Sequence, residues 1–119
     1  MIICRIAARA GYAPAGAATY EEAAKLAREA AFDCITLDLS LGPHAGVEML
    51  HHFRIIGCRA PIIVISGCGE ETCRETVKLA ISLDLNVRES MSKPVDLAAL
   101  RSVFERLKRE PGVGAVAAA

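Results

Sequence analysis

Two short, almost unbroken apolar runs constrain this chain most: Cys34-Ile35-Thr36-Leu37, ending in Asp38, and Ile62-Ile63-Val64-Ile65, ending in Ser66. Runs of this length without polar alternation suit strands covered on both faces, as in parallel sheets whose crossovers are helices. A further strand is expected over about Asn86 to Met91, just ahead of Lys93-Pro94. A carboxylate, a hydroxyl and an ammonium at successive strand ends converge on one crevice of an open parallel sheet, where such sheets bind ligands. A carboxylate nucleophile with a hydroxyl donor and a lysine counter-charge suits phosphoryl transfer to aspartate.

The rest of the chain alternates in the same way. Residues 2–11 read as a helix stopped by Gly11, and Ala13 to Ala18 as a weak strand poor in β-branched residues. Thr19-x-x-Glu22 is a capping box that opens an alanine-rich helix to about Ala31, followed by a strand over 33–38. Leu39 to Gly46 is expected as a loop and Val47 to Gly57 as a helix. Gly67-Cys68-Gly69 turns the chain into a helix over roughly 71–84. Asp96 caps a last helix whose Leu97, Leu100, Val103, Phe104 and Leu107 share one face. Pro111-Gly112 ends it, and the Ala/Gly/Val tail to Ala119 reads as a frayed end. The pattern predicts an α/β three-layer sandwich in one domain over 1–109, with a tail over 110–119.

Composition narrows the partners. Fourteen basic residues balance fourteen acidic ones, so nothing marks the chain for nucleic acid or an anionic membrane. No apolar stretch reaches membrane-spanning length, and Met1-Ile2-Ile3-Cys4-Arg5 lacks the regions of a signal peptide, so a cytoplasmic location is expected. The five cysteines form no CxxC pair and no zinc-like spacing; Cys34 reads as a small core residue, while Cys68 and Cys73 flank a turn. His44, His51 and His52 invite a metal reading. His51 and His52 are adjacent and face differently on a helix, so solvent exposure is expected instead.

The stretch Phe32-Asp33-Cys34-Ile35-Thr36-Leu37-Asp38-Leu39-Ser40-Leu41, with Gly46 eight residues past Asp38, resembles a response-regulator receiver domain. So do Ser66-Gly67, Lys93-Pro94 ahead of an amphipathic final helix, and Ala10-Gly11-Tyr12 as the end of the family's first helix. Together these cover roughly residues 4–108. Leu79 to Val87 and Gly57-Cys58-Arg59-Ala60-Pro61 are closest in pattern to receivers associated with EAL-type cyclic-di-GMP phosphodiesterases. The resemblance implies a flavodoxin-like parallel sheet.

It also implies roles for single residues. Asp38 would accept a phosphoryl group from a phosphohistidine on a sensor histidine kinase or phosphotransfer protein. Lys93 would pair with a phosphate oxygen, Ser66 would donate a hydrogen bond to it, and Lys93-Pro94 would be a cis peptide. Magnesium is the expected cofactor, held by Asp38 and the backbone carbonyl of Ser40. Three departures stand out. The first strand, with the acidic pair at its end, is missing ahead of the first helix, which leaves Asp38 a poor metal site; Glu70 and Glu71 lie after Ser66 on the matching edge. Ser90 stands where many receivers put a switching aromatic, and Gly42-Pro43-His44-Ala45 replaces the commoner proline-first loop.

A missing central strand would leave an open edge on 33–38, from which a homodimer is expected. The leading function is a non-enzymatic two-component receiver that switches binding to an output protein. The alternative is a degenerate receiver that binds partners without phosphorylation. A haloacid-dehalogenase-type hydrolase is disfavoured because Ser40 stands where that family has a second Asp.

Overall fold

The computed structural model describes residues 2–39, 43–67, 69–109 and 115–118, with the side chains of all but 43–45, 69, 70 and 115–118. In chain order the elements are α1 (Ile2–Arg9), β1 (Ala13–Gly16), α2 (Tyr20–Glu29), β2 (Phe32–Asp38), α3 (Pro43–Ile55), β3 (Ile62–Ser66), α4 (Gly69–Ser82), β4 (Val87–Ser92), α5 (Leu97–Lys108) and β5 (Ala115–Ala118).

Local chemistry explains most of the boundaries. Beyond α1 the chain turns through Gly11 at φ +94°, and the Lys108 ammonium donates to the Ala10 and Gly11 carbonyls at 3.3 and 3.0 Å. A Cβ at Gly11 would collide with that ammonium. At α2 the Thr19 hydroxyl oxygen accepts from the Glu22 N–H at 3.2 Å. The return bond of this capping box runs from the Ala18 N–H to Glu22 Oε2 at 2.9 Å, one residue earlier than the usual form. Helix α3 starts at Pro43, ahead of the expected Val47, because proline lacks an N–H that a first helical turn leaves unpaired anyway. That start puts Gly46 inside the helix, where a Cβ would come 2.8 Å from Leu39 Cδ2. Asp96 Oδ1 accepts from the N–H groups of Ala98 and Ala99, both at 3.1 Å, as expected of a helix cap.

The five strands are parallel, in the order β1-β5-β2-β3-β4. Here the structure corrects the sequence twice. The segment expected as a frayed tail contains β5, and the central place expected to be empty for want of a first strand is filled by it. Ala115 to Ala118 pair with Ala13 to Gly16 of β1 on one side. On the other side they pair with Phe32 to Thr36 of β2, with a register shift between Phe32 and Cys34. The open edge from which a dimer was expected is therefore occupied within one chain, and β1 and β4 are the outer strands. The physical reason is backbone pairing. A buried strand such as β2 cannot leave one edge of N–H and C=O groups unpaired, and any chain without proline can fill that place. Alanine carries little strand propensity, so the tail has no pattern that announces it.

Strand alternation divides the core into two layers. Ile35, Leu37, Ile62 and Val64 pack with Ala23 and Ala24 of α2, Met49, Leu50 and Phe53 of α3 and Ala80 of α4. Cys34, Ile63 and Ile65 pack with Ile6 and Ala7 of α1 and Leu100, Val103, Phe104 and Leu107 of α5. Tyr12 ties the second layer together: its ring lies 5.7 Å from that of Phe104, and its hydroxyl donates to the Phe104 carbonyl at 2.7 Å.

Val116 pairs with both Pro14 and Cys34, so Val116→Pro removes an N–H from the sheet centre. A loss of about 1–3 kcal/mol is expected in urea unfolding from the carbonyl left unpaired, against no change for a frayed tail. A second expectation concerns Cys34, fully buried, whose thiol is pushed by burial from 9.0 up to about 12. The folded protein keeps a proton that the unfolded chain releases, so this contribution is complete below pH 9 and is lost as pH rises toward about 12. The unfolding free energy of the native protein, from urea titrations, should fall more steeply over that range than that of Cys34→Ala, by about 1.4 kcal/mol per pH unit.

Candidate functional site

Parallel strands all present their C-terminal ends at one edge of the sheet, and the register fixes how three of them step across it. Asp38, the last residue of β2, lies level with Ile65 of β3, one residue before Ser66; Ser66 lies level with Ser92, one residue before Lys93. The Lys93 N–H donates to the Ser66 carbonyl at 2.8 Å, extending the β3–β4 ladder past the end of β4. The Lys93–Pro94 peptide is cis, as expected.

The consequence is a direct ion pair. Lys93 Nζ donates to Asp38 Oδ2 at 2.8 Å across a sequence separation of 55 residues. The side chains are 37% and 26% exposed, so the pair is open to an incoming group yet partly screened by protein. Ser66 is buried at 4% exposure. Asp38, Ser66 and Lys93 each have further interactions with the protein. The structure thus brings Asp38 and Lys93 into contact and sets Ser66 at the adjoining strand end.

Gly67, read from sequence as part of a turn and of the Ser66-Gly67 motif, lies against the lysine stem: a Cβ there would meet Lys93 Cδ at 3.4 Å, an ordinary contact. That proximity was not legible in the sequence.

The magnesium ion implied by the resemblance finds a poor donor set among these residues. On the side away from β3, β2 pairs with β5, described to Ala118, which lies level with Thr36 two residues short of Asp38, and alanine has no side-chain oxygen to offer. Among the described residues no group of three or more His, Cys, Asp or Glu side chains could hold a metal ion. Ser40 and the side chain of Glu70 lie outside the described residues, and Glu71 is exposed on α4. Lys93 already holds the one carboxylate. The described residues do not fit the ion.

The histidines divide. His51 is exposed as expected, and the side chain of His44 lies outside the described residues. His52 is half-buried, with its ring edge-on to Tyr20 at 6.4 Å and its Nε2 enclosed without a hydrogen-bond partner, which corrects the expectation of exposure. Cys34 is in the core as expected, Cys73 is half-buried, and Cys68 lies outside the described residues. A cavity of about 620 Å³, lined in part by Arg28, Phe32, Asp33 and Pro61, opens at the opposite end of the strands; burial raises the Asp33 carboxyl there above its usual range. No described helix is long and apolar enough to cross a membrane.

Comparison with known proteins bears on what this edge is. A response regulator from Colwellia psychrerythraea has a crystal structure 24% identical in sequence, with a TM-score of 0.62 over 73% of each chain. The receiver domain of the Francisella response regulator 1452 is 20% identical, with a TM-score of 0.73 over 89% of this chain and 84% of that one. At these identities the likeness is one of fold. Among curated proteins none matches the chain. The sequence model of the response regulator receiver domain, however, matches residues 1–105, every described element except the last strand and the end of α5. With that much of the sequence matched, the chain belongs to the response regulator receiver domain family.

Proposed function

We propose that this protein is a two-component receiver in which Asp38 accepts a phosphoryl group from a phosphohistidine on a histidine kinase or phosphotransfer protein. The observation that carries the reading is the 2.8 Å contact between Lys93 Nζ and Asp38 Oδ2 at the C-terminal edge of the sheet. In the transfer a carboxylate oxygen of Asp38 attacks phosphorus, a P–O bond forms and the P–N bond of the phosphohistidine breaks. The imidazole nitrogen leaves with the bonding pair and takes a proton from solvent. Lys93 then balances charge on the phosphoryl oxygens, both in the transition state and in the acyl phosphate. Ser66 gives its hydroxyl to a phosphoryl oxygen, and that movement carries the modification into the loop ahead of α4.

The output is a change in partner binding rather than turnover of a substrate. By family analogy the partner face is that of α4, β4 and α5. Ser90 lies on it, in a groove of about 340 Å³ with Cys73, Val77 and Met91. With serine in that place the readout uses something other than an aromatic rotamer. The working unit is residues 1–109 completed by β5, in a cytoplasmic pathway akin to those whose receivers accompany EAL-type phosphodiesterases. An exchange of β5 between two copies would give the homodimer expected from sequence.

Incubation with acetyl phosphate followed by intact-mass measurement is expected to show one phosphoryl addition, absent in Asp38→Asn; no addition to the native protein would sink the reading. Lys93→Met should lower the extent of addition at least tenfold. The same change should move stability by less than about 1 kcal/mol in urea unfolding, because a pair this exposed contributes little to folding.

A further inference from the structure

We infer that the Asp38 crevice handles its phosphoryl group without a resident divalent cation, with the Lys93 ammonium as its counter-charge. The transfer half of the inference rests on the phosphoacceptor reading; the cation half stands on the donor set alone.

Charge decides the matter first. The described pair carries one negative and one positive charge and is neutral as it stands. A divalent ion placed there would leave the crevice doubly positive. Its attraction to the single carboxylate would be offset by repulsion from an ammonium held 2.8 Å from that carboxylate. Magnesium also gives up its water reluctantly and needs well-placed oxygens in return. The described residues of the neighbouring strands do not supply them: β5 is described to Ala118, level with Thr36, while β3 ends in Ser66 and β4 in Ser92 ahead of Lys93. Asp96, the next acid along, has its Oδ1 engaged by two backbone N–H groups of α5.

The same edge is well made for an anion. Helices α3, α4 and α5 each begin shortly after β2, β3 and β4. Three helix N-termini, with their positive dipole ends, therefore stand at the edge that holds Lys93, although Asp96 takes the Ala98 and Ala99 N–H groups of α5. A phosphoryl group arriving at Asp38 meets the Lys93 ammonium and the dipoles of α3 and α4. Such a receiver depends on Lys93 and on ionic strength, and not on magnesium.

The test takes the full chain with Mg²⁺ and, separately, Mn²⁺ as probes, followed by amide spectra. No saturable shift or broadening at residues 38, 66, 67 and 93 is expected up to ten millimolar. Saturable changes there that vanish in Asp38→Asn would overturn the inference. A second arm compares acetyl phosphate labelling in Mg²⁺ with labelling in EDTA at matched ionic strength. Equal extents support the inference. Labelling in Mg²⁺ alone overturns it and leaves Asp38 as the acceptor. Labelling in neither overturns the acceptor reading and the transfer half together, and the cation titration alone then decides the other half.

Discussion

Backbone pairing along β2 is the interaction on which the rest of the structure depends. This strand lies in the interior of the sheet, is buried on both faces through Cys34, Ile35, Thr36 and Leu37, and ends in Asp38. Its N–H and C=O groups have no water to turn to, so both edges must find protein partners. One edge is met by β3, the next long apolar run in the chain. The other is met by β5, four residues of alanine and valine. With both ladders made, Asp38 is fixed at the rim, one step from Ser66 and within reach of Lys93.

The arrangement has an unusual division of labour. Of the strands at the site, β2 and β3 are apolar runs with strong packing of their own, while β4 alternates half-buried and exposed residues. The strand that closes the centre brings small side chains and contributes mainly its backbone. A closing strand of this kind meets the hydrogen-bonding requirement through its backbone groups. At the rim beyond it, the Asp38 carboxylate is met by Lys93.

Most of the fold was legible in the residues. Apolar runs at 34–37 and 62–65, the capping residues Thr19 and Asp96, and the stops at Gly11 and Gly57 located nearly every element. Each of these acts locally and needs no distant partner. The start of α3 was misplaced because a glycine at 46 reads as loop until its close approach to Leu39 is seen. His52 was expected at the surface because adjacent histidines face apart, but the packing of α2 against α3 encloses one of them beside Tyr20. The tail over 110–119 was read as frayed because alanine and glycine carry no strand signal.

By itself the sequence determined the strand ends at Asp38 and Ser66, where apolar runs meet polar stops, and placed Lys93 just past the next strand. It also determined the two-faced burial that makes the sheet parallel and covered by helices. Tertiary structure alone decided which segment sits beside β2. Sheet pairing is satisfied by backbone groups that every residue but proline shares. No composition or period in Ala115 to Ala118 could reveal that this segment would take the central place.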